Sequence, residues 1–238
     1  MTQGQGLVLA RCVGFAFRAP GFAHPSVPAP VRAAFACALA LAIGSANGRV
    51  ALDPAAFALA LMTELLLGAA IGAAAAALYD GAYAGGRTVD DYVGIRASVP
   101  TAGIVAGAGF GRLWSLGFAA CFFVLGGHRA LLLELADGFA RVPPGGLVLS
   151  HAWTSYVVAI PATLLRAAIC IGGPAIVAAL IVQVMLAATT RIVPRLSTFT
   201  LSFPLVFATA VVATIVALPL VLPLAAHPWI AAIPIGGP

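Results

Sequence analysis

The chain has no lysine. Its 238 residues carry 12 arginines and 7 acidic side chains, and charged residues make up 8% of the whole. That is about a third of ordinary soluble usage, too little to keep a chain with 62% hydrophobic side chains in water. The lysine gap excludes a Gly-rich phosphate cradle with its lysine, and no G-x-S-x-G elbow is present, so neither ATP hydrolysis nor a serine nucleophile is expected. Cysteine is also sparse. Cys12, Cys37, Cys121 and Cys170 each lie in an apolar run without C-x-x-C spacing, which argues for buried thiols over a disulfide framework or a zinc site. His24, His128, His151 and His227 have no second ligand at helical spacing. No metal and no cofactor are expected. The net charge of +5 comes from arginines scattered singly, without a basic stripe or an aromatic platform, which excludes nucleic acid as a partner. A basic n-region is missing at Met1–Gly6, and Arg11 and Arg18 interrupt the first apolar stretch, so no cleavable signal peptide is expected.

What is present is a series of long apolar stretches: Leu7 to Ala23, Val31 to Ala46, Ala55 to Leu78, Leu113 to Leu135, Ala152 to Cys170, Ile171 to Thr190 and Leu201 to Ala226. Several approach the roughly 20 residues that a bilayer helix needs. Backbone groups in hydrocarbon must be satisfied internally, and period-2 alternation is absent, so five to seven helical segments are predicted and a β-barrel is not. Pro20, Pro25, Pro28 and Pro30 make a connector between the first two helices, and the second stops around Gly44 to Gly48. Asp53-Pro54 reads as an N-cap followed by proline in the first turn. From Tyr79 to Gly103 the chain is at its most polar, and its glycines with Pro100 predict a structured loop, followed by a pliable Gly/Ala segment up to Gly111. Gly126-Gly127-His128-Arg129 interrupts the fourth stretch, and the chain turns at Pro143-Pro144-Gly145-Gly146. Gly172-Gly173-Pro174 predicts a hairpin or kink between two helices.

Glu64 is the sharpest anomaly, flanked by ALMT and LLLG. In lipid it would cost several kcal/mol, so it is expected to be neutral or paired across a helix interface, or to face a polar pore or a subunit. Proton translocation would need a carboxylate relay, and the only other acid within an apolar run is Glu134, close to that run's end. Gly68 and Gly72 follow at i+4 and i+8 on the same face, where small residues let another backbone approach. Gln183, Ala187 and Arg191 repeat that spacing and predict a helix packed by its small and polar face.

Taken in order, these features resemble the membrane component of the type III protein export gate, the family serving flagella (FliR) and virulence injectisomes (SctT). The residues that carry the resemblance are Arg11, Pro20, Pro28 and Arg32; then Glu64, Gly68, Gly72, Gly85, Gly86, Asp90 and Gly94; then Gly127-His128; and the run RIVPRLSTFTLSFP, with Arg191, Pro194, Leu196, Phe199, Phe203 and Pro204. Arg195 and Ser197 stand where the family has Gln and Asn, Gln183 stands for an upstream acid, and Val206 stands for a Lys, which marks a divergent member. The resemblance spans about residues 7 to 225. It implies an all-α, multi-helix integral protein of the bacterial inner membrane with broken helices and helical hairpins, forming a single membrane domain over 1–238 and packed in a hetero-oligomeric export gate. It implies several copies each of small membrane subunits and the switch/autoprotease export subunit as partners, with lipid and unfolded protein substrates, and no catalytic activity. It also implies that Glu64, Gly68, Gly72, Gly85, Gly86, Asp90, Gly94, Gly127, His128, Gln183, Arg191, Pro194, Arg195, Phe199, Phe203 and Pro204 serve subunit packing or gating. By position, Ser98 to Gly111 corresponds to a loop that closes the channel. A small secondary transporter with discontinuous helices predicts two related halves, yet the breaks at Gly85-Gly86 and Gly172-Gly173-Pro174 have flanking helices that do not repeat each other. An intramembrane enzyme would need a catalytic pair, and none stands at a workable spacing.

Overall fold

A computed structural model describes residues 2–23, 27–44, 51–94, 98–101, 104–107, 109–146, 151–192 and 198–226. Seven helices appear among them, α1 (Gln3–Arg18), α2 (Ala29–Ile43), α3 (Pro54–Val93), α4 (Phe110–Val124), α5 (Gly127–Arg141), α6 (His151–Ile192) and α7 (Thr198–Ala226), with one antiparallel pair, β1 (Ser98–Thr101) and β2 (Ile104–Gly107), between α3 and α4. The fold is all-α apart from that hairpin, in which Ser98 stands opposite Gly107 and Thr101 opposite Ile104.

Local chemistry sets several of these limits. Thr2 and Gln5 form a reciprocal capping box that starts α1. Asp53 caps α3 as its sequence suggests, with Ala56 N–H donating to Oδ2 at 3.4 Å. Gly94, at φ 86°, ends α3 in the left-handed conformation and returns its N–H to the Asp90 carbonyl. Gly126, at φ 75°, breaks the stretch between α4 and α5, as the sequence predicts. Val142 N–H closes α5 on Gly138 O, and the Pro143–Gly146 turn follows.

Two predicted interruptions are absent. The polar stretch from Tyr79 to Val93 is helix, and Gly85-Gly86 does not break it. On its exposed face Arg87 donates to Tyr83 Oη at 3.4 Å and pairs with Asp91 at 3.7 Å, both at i,i+4 spacing, while Asp90 is buried on another face. Gly172-Gly173-Pro174 likewise makes no hairpin, and α6 runs through it for 42 residues. Proline removes one i→i−4 bond, a loss that packed neighbours can absorb. Gly85, Gly86 and Gly172 serve packing at these places, as the next subsection shows.

Two helices, Pro54–Val93 and Val157–Thr189, are long and apolar enough to cross a membrane, and the α4–α5 pair makes a third if it is one broken span. By contact the chain forms two compact units. One holds Met1–Ala77 with Phe122–Ala162; the other holds Leu78–Cys121 with Thr163–His227. In the first, α1 is the sheathed helix, with Leu7, Val8, Cys12, Phe15 and Ala16 buried. In the second, Ala167, Ile171, Ala175 and Ala179 of α6 and Val206 and Ala210 of α7 lie in the core.

Candidate functional site

The first unit is organised around one buried ion pair. Arg11, at the middle of α1, and Glu64, in α3, are both fully shielded from solvent. Arg11 Nε donates to Glu64 Oε2 at 2.6 Å. Its two other nitrogens donate to the carbonyls that end α5, Nη1 to Gly138 O at 3.2 Å and Nη2 to Val142 O at 3.0 Å. The guanidinium lies 4.2 Å from the Phe139 ring centroid, a cation–π contact that adds to the same grip. Glu64 Oε1 accepts from Gly145 N–H at 2.9 Å. A cation at a helix C-terminus also suits the helix dipole. The result is a closed knot of three helices and a turn, in which both carboxylate oxygens and all three guanidinium nitrogens have partners.

The glycines next to Glu64 make that knot possible. A Cβ on Gly68 would collide with the Arg11 carbonyl, and one on Gly72 would lie 2.9 Å from Phe15 O and Ala19 N. Gly14 answers from α1, where a Cβ would meet Leu65 O. The two helices therefore touch backbone to backbone, the small-xxx-small mode. The helix against which Gly68 and Gly72 pack is α1 of this same chain.

In the second unit α3 repeats the device against α6. Added Cβ atoms would lie 2.5 Å from Leu164 O at Gly81 and 2.5 Å from Ala168 O at Gly85, while one at Gly172 would lie 2.7 Å from Gly85 O. Gly86 faces the start of α4, 2.6 Å from Phe110 O. Asp90, 3% exposed, completes this joint, accepting from Phe110 N–H at 2.7 Å on Oδ1 and Gly111 N–H at 3.0 Å on Oδ2. It thus caps α4 from a different helix, satisfying two of its orphan donors. Gly109, at φ 126°, sits where any Cβ would strike the same carboxylate.

The remaining predicted residues are separate from these joints. Gly127 packs on Phe122, and exposed His128 has its ring 5.5 Å from Phe123. Gln183, exposed, accepts from Tyr92 Oη–H at 3.0 Å. Arg191 is exposed in the last turn of α6. Phe203 and Pro204 are exposed on α7, with Phe203 stacked near Phe207 at 6.1 Å. Phe199 falls within α7, though its side chain is outside the described set, and Pro194 and Arg195 lie outside the described residues altogether. Sequence reasoning missed the partnership of Arg11 with Glu64, the notch at Gly14 and the capping role of Asp90. The signal for the first was a lone carboxylate in one apolar stretch and an arginine in the middle of another. Among the described residues no three His, Cys, Asp or Glu side chains converge as a metal site would require.

The family described as bacterial export proteins, family 1, matches residues 4–230. The chain belongs to that family. It is also similar to the flagellar biosynthetic protein FliR of Aquifex aeolicus (strain VF5), with 25% identity over 217 residues, covering 89% of this chain and 83% of the relative. At that identity the member is divergent. Both joints, Arg11–Glu64 and Asp90 on α4, lie inside the matched region of this export protein. Its long apolar helices make it a membrane protein.

Proposed function

We propose that this chain is a core subunit of a type III protein export gate in the bacterial inner membrane, where it helps form and close the mouth of the channel for unfolded secretion substrates. The observation that carries the reading is the family match over residues 4–230, nearly end to end. The flagellar relative supports the flagellar branch of such systems. The subunit acts by shape and has no catalysis of its own. Its partners are several copies each of small membrane subunits, together with the switch/autoprotease export subunit. The predicted packing and gating residues fall into two roles. Glu64, Gly68 and Gly72 hold the chain's own α1, whereas Gln183, Arg191, Phe203 and Pro204 are exposed on α6 and α7, where subunits can dock. The segment from Ser98 to Gly111, which carries the β1–β2 hairpin and ends where Asp90 caps α4, is the closing element in this reading.

Deletion of the gene should abolish flagellar or injectisome secretion, and the full chain expressed in trans should restore it. The tagged chain should co-purify with the small gate subunits in a fixed ratio of several copies. Secretion that is unaffected by deletion, or substrate transport by this chain alone in liposomes, would overturn the reading.

A further inference from the structure

Arg166 is a cation without a partner on an apolar face. It is exposed on α6, and among the described residues no hydrogen bond, ion pair or ring contact involves its guanidinium. Three other exposed arginines, Arg112, Arg129 and Arg191, stand in the first or last turn of their helices. Arg166 instead lies well inside a helix of 42 residues, with exposed Val158 and Leu165 before it and exposed Ile169 and Val177 after it. An apolar face this continuous is covered in the working protein rather than left in water. Whatever covers it has to satisfy a charge and five N–H donors in dry surroundings. The chain's own acids are committed elsewhere, since Glu64, Asp90, Asp91 and Glu134 are held by other groups.

Gly173 follows seven residues later on the same face of the helix. The opposite face, through Leu164, Ala168 and Gly172, packs on Gly81 and Gly85 of α3. At Gly68, Gly72, Gly85 and Gly172 the missing side chain admits a backbone of this chain, whereas a Cβ on Gly173 would meet none of the described residues. A notch of that kind fits a helix backbone and gives an acyl chain nothing. The fold already shows what such a face receives. Arg11, with Gly14 three residues on, takes an apolar helix that carries one carboxylate, Glu64.

We propose that Arg166 and Gly173 are the arginine half of a second joint of this type, made with an apolar helix of a partner protein that crosses at Gly173 and sets one Asp or Glu against Arg166. The pairing chemistry stands whichever protein supplies that helix. Under the export reading above, it is a small subunit of the gate.

The test uses the full chain in bacterial membranes that hold the other gate subunits. The photoreactive residue p-benzoylphenylalanine replaces Leu165 or Ile169, exposed neighbours of Arg166, and adducts are mapped by mass spectrometry. The expected adduct lies within about two turns of an Asp or Glu in an apolar helix of a partner. Arg166→Glu should lower co-purification of that partner at least about ten-fold, because like charges then face each other in the interface, and reversal of the partner's acid to Arg should restore it. Should Arg166→Glu fail to reach the membrane, Gly173→Leu gives the same loss, since it fills the notch where no described residue of this chain packs. Adducts with lipid alone would make Arg166 a phosphate contact and overturn the proposal, as would adducts with a second copy of this chain or with a helix that lacks an acid. Undiminished co-purification of Arg166→Glu, or no rescue by charge reversal, also overturns it. Those results leave the export reading in place, whereas an acidic helix from a protein outside the export apparatus would support the pairing and count against that reading.

Discussion

At the scale of single residues, the Arg11–Glu64 pair governs the first unit. Removing one partner of a buried pair leaves an uncompensated charge, which costs on the order of 3–5 kcal/mol. Arg11→Met and Glu64→Leu should each lower the thermal midpoint of the purified protein and reduce its yield. The double substitution Arg11→Met with Glu64→Leu should lose less than the two added together, because it removes both charges at once. Thermal denaturation of the three variants checks this, and strict additivity would mean that the pair carries no coupling. Glu64 announced itself in the sequence as a lone carboxylate in an apolar run. Its partner did not, since Arg11 lies 53 residues away and chain-level periodicity holds no information about which distant face it meets. The capping role of Asp90 was hidden for a similar reason. Capping rules look for a residue just before its helix, whereas Asp90 serves α4 from 20 residues upstream in another helix.

At the scale of helices, glycine has two meanings that a single sequence does not separate. At Gly126 it is a left-handed stop, and the break between α4 and α5 was legible. At Gly85 and Gly172 it is an absent side chain inside a continuous helix, and what reads as a break is a place of contact. Gly85→Leu should therefore push α3 and α6 apart while leaving helix content intact. Far-ultraviolet circular dichroism should be unchanged, but the thermal midpoint should fall as overpacking costs about 1–3 kcal/mol. A fall in helicity with no other effect would show that the residue matters for backbone conformation instead. Asp90→Ala tests the joint with α4. Losing two hydrogen bonds to a carboxylate should destabilise the protein by about 1–2 kcal/mol, and Asp90→Asn should recover part of that, since its amide oxygen still accepts one N–H. Thermal midpoints of the two variants measure the difference.

At the scale of the whole chain, composition and apolar run lengths were enough to identify a helical membrane protein. They could not reveal the division into two units, because α3 and α6 each contribute to both. Each of those helices is roughly 60 Å long at 1.5 Å per residue, about twice the hydrocarbon thickness. Neither fits inside a bilayer along the normal, so part of each must stand in water or against other protein. The chain purified in mild detergent should therefore be monodisperse only together with its small partner subunits and should aggregate alone. Size-exclusion chromatography with light scattering decides this, and a stable solitary monomer would count against a shared assembly.

The knot at Arg11 also has a history in time. Its last ligands, Gly138 and Val142, are made 127 and 131 residues after the arginine they hold. A ribosome that has synthesised α1 and α3 has produced a cation and an anion that can meet, but the carbonyls and the Gly145 amide that complete their shells do not yet exist. Until translation passes the Pro143–Gly146 turn, neither charge can have the full set of partners that the folded chain gives it.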